Sequence, residues 1–343
     1  MKILCVLSKY DFGKQERGVS TEYIMFYDAL LKMGHEVELF DFYTILNSSG
    51  KAEMNEMLIK KIELTKPDLV FTYLIKNEIE TNTLKIIKEQ KITKTLVYFG
   101  DDEWRYENFS SVYAPYFDYI VTTDPDSIEK YRKINCLYVL YQRTGANHRV
   151  FKKKNCEKDI KCSYVGAARL DRVKFINKLR KQKIDIKCWG TGWNVSFFER
   201  VINKIGIGRN IFEKKYAKTR LSFEEMCDIF NRSKINLCTS ESFRGDIKQI
   251  KARVFEVTAS GGFLLCEHVK GIEDFFILDE EIVCYNSFDD LISKIGYYLE
   301  NDEERNKIAL NGYKRTLSQN TAEIRLKEIF HWIEQTNSSF AKV

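Results

Sequence analysis

An arginine and a glutamate three residues apart, Arg253 and Glu256, stand in the segment KARVFEVTASGGFLLCE, ahead of Ser260, Gly261 and Gly262. In a helix that spacing puts both side chains on one face. Arginine offers a fork of N–H donors suited to phosphate, and a carboxylate accepts from ribose-like hydroxyls. The same pair is also an ordinary surface ion pair, worth about 0.2–0.5 kcal/mol. Counted from Ile247 at 100° per residue, Ile247, Ile250, Val254, Val257 and Thr258 form an apolar stripe. Gln249, Ala252, Arg253, Glu256, Ala259 and Ser260 lie opposite, and the following glycines, Gly261 and Gly262, permit close backbone approach.

Three further stretches carry residue types with chemical potential. YVGAAR sets Gly166 between a strand-like and a helix-like run, with Arg169 and Arg172 just beyond. Such a turn aims backbone N–H groups at an anion, although a lone glycine there is also a plain tight turn. WGTGW holds Gly190 and Gly192, with Trp193 free to stack on a base or to join the core. FGDDEW ends an apolar run with Asp101 and Asp102, either of which suits a general base toward an acceptor hydroxyl. A metal-binding reading of Asp101 and Glu103 competes with it, as does a helix cap. The polar loop SKYDFGKQERGVS adds Gly18 and Ser20, the latter also a natural N-cap.

The elements around these residues alternate. Strand-like runs KILCVLS, HEVELFDFY, KPDLVFTYLI, KTLVYFGDD, DYIVTTDP and CLYVLYQ are separated by helical stretches. The pattern pauses at RTGANHRVFKKKNCEKD and restarts at IKCSYVGAA, IDIKCWG, INLCTS, GFLLCE and EIVCYN. Alternation of this kind requires crossover connections, hence parallel sheets covered on both faces. A chain of 343 residues is too long for one comfortable core. The expected fold class is therefore α/β, two tandem Rossmann-like doubly wound domains with a cleft between them. The boundaries fall at 1–148 and 149–343, with the last helix able to pack back on the first domain.

Composition narrows the function classes. The apolar fraction of 44% and charged fraction of 30% are those of an ordinary globular chain. Nine cysteines cannot all pair, none forms a C-x-x-C, and several sit in apolar runs, which suits reduced thiols in the cytoplasm. No apolar run is long enough to span a membrane. Net charge is +6, and from Phe151 to Lys218 there are 19 Lys and Arg against 6 Asp and Glu. This suits an anionic partner and leaves a peripheral membrane contact open; no nucleic-acid module occurs, so no nucleic-acid partner is expected.

The segment around Arg253 and Glu256 resembles the R-x-F-E…GG-F-L-L stretch of GT-B glycosyltransferases of the spore-maturation-protein or group 1 type. YFGDDEWRYENFS, DYIVTTD, YVGAARLDRVKFINKL, GTGW, SKINL and ISKIGYYLENDEERNKIALNGYKRTL agree in order, so the resemblance runs from about residue 95 to 330. It implies transfer of a sugar from a nucleoside-diphosphate sugar to a glycan, lipid or protein hydroxyl, of hexosyltransferase type, without a metal or other cofactor, for cell-surface glycans. Glu256 would hold the donor ribose; an E-x7-E pattern would need a second glutamate where Lys248 stands, and Glu241 is a displaced candidate. Lys248 or Arg253 would then neutralise the diphosphate, and the loop bearing Gly18 and Ser20 would cover donor phosphates or acceptor. A sugar-nucleotide epimerase and a non-catalytic coat or binding protein on the same fold are the competing readings. Oligomeric state is not legible.

Overall fold

The computed structural model describes residues 1–193, 220–242 and 247–340. The chain divides into two compact units, Met1–Thr144 with Ala322–Val343, and Gly145–Thr321. The first contains a six-stranded sheet: β1 (Lys2–Leu7), β2 (Glu36–Asp41), β3 (Leu69–Thr72), β4 (Lys94–Phe99), β5 (Tyr119–Thr122) and β6 (Val139–Tyr141). Their order is β2-β1-β3-β4-β5-β6, with every pair parallel. β1, β3, β4 and β5 are buried almost end to end, as strands covered on both faces must be.

The strand expected over 35–43 ends early. β2 stops at Asp41, whose carboxylate accepts from the Thr44 backbone N–H at 3.4 Å and from Thr44 Oγ1 at 2.5 Å, starting the helix Phe42–Ser49. A capping aspartate inside an apolar run converts strand to helix, and hydrophobicity alone conceals it. The last helix, Ala322–Phe340, belongs to the first unit: Trp332 packs edge-on against Tyr119 and Phe330 against His35.

The second unit holds β7 (Ile160–Val165), β8 (Ile186–Trp189), β9 (Ser233–Cys238), β10 (Leu264–Glu267) and β11 (Val283–Tyr285). These run parallel in the order β11-β10-β9-β7-β8. Its core gathers Ile235, Leu237, Phe263, Leu265, Val283 and Leu291, all at most 3% exposed. The helix Phe223–Arg232 opens with the reciprocal cap of Ser222 and Glu225, in which each side chain bonds the other's backbone N–H at 3.2 and 2.7 Å.

The sequence places the domain boundary at 148/149; the contacts part the chain at Thr144/Gly145 and again at Thr321/Ala322. Gly145 takes φ +69°, and a Cβ there would lie 2.5 Å from the Asn320 carbonyl oxygen. The Ala146 N–H donates to that same oxygen at 2.9 Å. Each sheet is built outward from its first strand in one direction and then in the other, so the winding reverses between β1 and β3 in one unit and between β7 and β9 in the other. Ligands of open parallel sheets lodge beyond the strand carboxyl ends at such reversals. Among the described residues no helix is long and apolar enough to cross a membrane.

Candidate functional site

Four parallel strands bring their carboxyl ends to one edge of the second unit. β7 delivers the turn at Gly166, β8 the turn at 190–193, β9 the residues 239–242, and β10 ends on Glu267. The first two turns are latched together. Gly166 N–H donates to the Trp189 carbonyl at 2.9 Å, Ala168 N–H to that of Thr191 at 2.8 Å, and Trp193 Nε1–H to that of Gly166 at 2.7 Å. A Cβ on Gly190, whose φ is +116°, would stand 2.6 Å from the Gly166 oxygen. The glycine is thus required by the neighbouring turn, whatever else approaches. Gly192 also lies at positive φ, +90°. Trp193 settles against the core, edge-on to Tyr164 at 5.9 Å, and so leaves the base-stacking role expected as one alternative.

The helix bearing Arg253 and Glu256 spans Ala252–Ala259, so Ile247, Lys248, Gln249 and Ile250 precede it and do not continue its stripes. Nearly the whole helix is enclosed: Val254, Phe255, Glu256, Val257, Thr258 and Ala259 are all buried. The two-faced wheel therefore fails, because a helix this short, hemmed in by strands and neighbouring helices, has no solvent side to keep polar. Arg253 Nη1 meets Glu256 Oε2 at 2.5 Å, and its guanidinium stands over the Phe230 ring at 5.1 Å. Glu256 is 5% exposed, so this is no surface ion pair.

Gly261 and Gly262 make room for the protein itself. With φ +70°, Gly261 would place a Cβ 2.8 Å from Lys153 Cγ; Gly262 would place one 2.7 Å from Asn236 Nδ2 and 3.0 Å from the Phe230 oxygen. Close approach is real, but the approaching groups are a lysine stem and the floor of β9.

Lys248 pairs with Glu267 at 2.7 Å, while Ser240 donates to the same carboxylate through its N–H at 3.2 Å and through its hydroxyl. Burial pushes the Glu267 carboxyl up, but the Lys248 and Ser240 bonds outweigh it and leave the group below its ordinary range. Tyr164 Oη and Thr239 Oγ1 share a hydrogen bond at 3.2 Å. Around these satisfied groups three buried atoms have no hydrogen-bond partner: Arg172 Nε, Glu241 Oε2 and Ser242 Oγ. They belong to the elements that follow β7 and β9, the pair of strands between which the winding reverses. Arg169 instead closes on Asp171 at 2.9 Å. Residues 243–246, which begin with the last residue of the TSESF segment, lie outside the described residues, as do residues 194–219 at the end of the basic stretch. In the sequence Arg172 and Glu241 are weak candidates and Ser242 gives no signal, because isolated polar residues in short loops carry no periodicity.

At the corresponding edge of the first unit, Asp101 takes φ +64° and starts the short helix Asp102–Arg105. Its half-buried side chain remains a group that solvent can reach. Asp102 does not: it is 0% exposed and accepts from Ser110 Oγ at 2.5 Å, Thr122 Oγ1 at 2.7 Å and Tyr131 Oη at 2.6 Å. Burial, opposed by those three hydroxyls, raises its pKa to about 6. A carboxylate so enclosed cannot touch an acceptor, which corrects its expected role as a base. Glu103 pairs with Arg143 at 2.5 Å. Ser20 is likewise spent: its hydroxyl donates to the Ser8 carbonyl at 2.5 Å and accepts from Tyr23 N–H at 3.1 Å, the N-cap role and not a ligand role. Gly18, at φ +80°, is exposed with open space where a Cβ would stand. Among the described residues no group of three or more His, Cys, Asp and Glu side chains could hold a metal ion.

Residues 172–331 match the family described as glycosyl transferase-like. No curated protein matches the chain. Among solved structures, sucrose-phosphate synthase from Thermosynechococcus elongatus is similar at a TM-score of 0.67 and 11% identity, over 99% of this chain and 100% of that one. HepE from Anabaena, solved in complex with UDP-glucose, gives 0.61 and 10% over 100% of both chains. A glycosyltransferase from Rickettsia africae gives 0.61 and 16% over 97% of both. These likenesses show the fold, and the family match lies almost wholly on the unit that carries the unpaired polar atoms. Residues 172–331 match the glycosyl transferase-like family, and the likeness to these solved structures shows the fold of the whole chain, the GT-B arrangement of two Rossmann-like units.

Proposed function

We propose that the protein transfers a hexosyl group from a nucleoside-diphosphate sugar, held on the second unit, to an acceptor hydroxyl of a glycan, lipid or protein in the cytoplasm, for cell-surface glycan assembly. The observation that carries this reading is the coincidence of the family segment with an edge where Arg172, Glu241, Arg253 and Glu256 are brought near strand carboxyl ends. In this reading Glu256 takes the ribose hydroxyls, and Arg253 with Arg172 takes the diphosphate. Charge on the leaving group is then met by guanidinium groups and backbone N–H groups without a metal. Asp101 is the candidate base on the acceptor side, with Gly18 in the neighbouring loop.

The test is a donor panel of UDP, GDP, dTDP and CMP sugars, with binding by calorimetry and transfer measured with and without EDTA. The expected result is tight binding of one nucleotide class and acceptor-dependent transfer that EDTA leaves unchanged. Conversion of the donor sugar with no acceptor would point to epimerase chemistry, and binding without turnover to a non-catalytic protein. Glu256→Ala is expected to weaken nucleotide binding at least about ten-fold, equivalent to about 1.4 kcal/mol, while the fold persists. Unchanged affinity would remove Glu256 from the site.

A further inference from the structure

We propose that Cys266 and Cys284 form an oxidisable dithiol site, which hydrogen peroxide converts reversibly into a disulfide across β10 and β11. The two strands run parallel with these residues directly opposed, so both side chains leave the same face of the sheet. Their sulfurs stand 3.6 Å apart, in contact. Neighbouring strands lie about 4.8 Å apart, inside the range of about 4.4–6.8 Å that the Cα atoms of a disulfide span. Closing the bond therefore asks for rotation of two side chains and leaves the strand pairing in place. Cys238 completes the rung on β9, opposed to Cys266, but its Sγ is turned to the Thr239 carbonyl at 3.5 Å. Cys284 is left as the partner.

Enclosure selects the oxidant. Both side chains are buried, and the contact with Cys284 together with burial holds the Cys266 thiol well above its usual range. The pair thus rests as two thiols, closed to bulky disulfides and slow to react. Cys266 also lines a cavity of about 10 Å³ beside Glu267. That is about the least room that takes a water-sized molecule, which points to a small neutral oxidant such as peroxide. In the first step Cys266 Sγ attacks one peroxide oxygen, the O–O bond breaks, water leaves and Cys266 carries a sulfenic acid. In the second, Cys284 Sγ attacks that sulfur, the S–O bond breaks and a second water leaves. Two thiols give up two electrons and two protons, and one peroxide becomes two waters. Sulfurs already in contact favour this closure over further oxidation of the sulfenic acid.

Both cysteines are the last residue but one of their strands. The next residue after Cys266 is Glu267, which takes Lys248 at 2.7 Å and the Ser240 N–H at 3.2 Å. A bridge here closes the connection between β10 and β11 and ties down the strand end that carries Glu267. Such a cross-link removes freedom from the unfolded chain and so stabilises the fold.

The experiment caps the exposed Cys156 of the folded wild type with N-ethylmaleimide, adds hydrogen peroxide, and then denatures the protein for thiol counting and non-reducing peptide mapping. The expected result is a loss of two thiols, one linked peptide joining Cys266 to Cys284, a melting temperature raised by a few degrees, and reversal of all three by dithiothreitol. In Cys284→Ala, with its fold checked by circular dichroism, the linked peptide should vanish and dimedone should label Cys266 instead. A bridge from Cys266 to Cys238, irreversible sulfinic acid at Cys266, or an undiminished thiol count after peroxide overturns the assignment. Where the variant fails to fold, the peptide map of the wild type decides alone.

Discussion

The two units wind their sheets in the same sense and differ in how they treat polar groups beyond the strands. In the first, Asp102 is met by three hydroxyls, Ser20 by two backbone groups and Glu103 by Arg143. In the second, Arg172, Glu241 and Ser242 keep buried atoms unmatched. Burial with complete pairing is the mark of scaffold, since a low-dielectric interior strengthens bonds made there and penalises any left open. Burial with pairing withheld is unfavourable in the free protein. The same residue type, a carboxylate after a central strand, is fully paired at Asp102 and keeps one buried oxygen unmatched at Glu241.

The comparison breaks first at Asp102. Replacing it by alanine would strand the hydroxyls of Ser110, Thr122 and Tyr131, and the expected cost is about 3–5 kcal/mol of folding stability, read from urea unfolding. A variant as stable as the wild type would show that this carboxylate is not scaffold. Next comes pH. The Asp102 pKa of about 6 stands above its ordinary 3.8, so the native state holds that proton more tightly than the unfolded chain. Its contribution is complete below about pH 4 and is lost as pH rises through about 6, an order-of-magnitude 3 kcal/mol. Urea midpoints of the wild type and Asp102→Asn between pH 4 and pH 7 should therefore differ in slope, the variant being flatter; parallel curves would refute the buried titration.

Gly262→Ala tests the turn after the Arg253 helix. A Cβ there would meet Asn236 and the Phe230 carbonyl, so the expected loss is about 1–3 kcal/mol of stability, with nucleotide affinity kept in the folded fraction. Loss of affinity at full stability would return the glycine to the ligand side. The smallest effect belongs to Lys248→Ala. Its side chain is 56% exposed, and its pair with Glu267 is worth at most about 0.5 kcal/mol in melting experiments. A larger drop would mean that Lys248 holds the loop of Glu241 as well as a surface charge.

Much of the architecture was legible in the residues. Apolar runs such as KILCVL and INLC announce strands buried on both faces, and their alternation with helices leaves few topologies open, because crossover connections have one favoured hand. The site was legible only in part. Arg253 and Glu256 were found, and their close contact followed from spacing, but their burial did not, since a wheel drawn from Ile247 presumed a helix that begins only at Ala252. Gly261 and Gly262 do permit close approach, as their type suggests, but it is Lys153, Asn236 and the Phe230 carbonyl that come close.

Periodicity and turn chemistry are local properties, carried by residues within one helical turn or one strand, and so the order of elements could be read from the chain before any contact was known. Whether a polar atom has found a partner is a property of residues far apart: Ser110, Thr122 and Tyr131 reach Asp102 from 8, 20 and 29 positions away. That pairing, and the want of it at Glu241 and Ser242, exists only once the chain has folded, because distance in space and not along the chain sets a hydrogen bond.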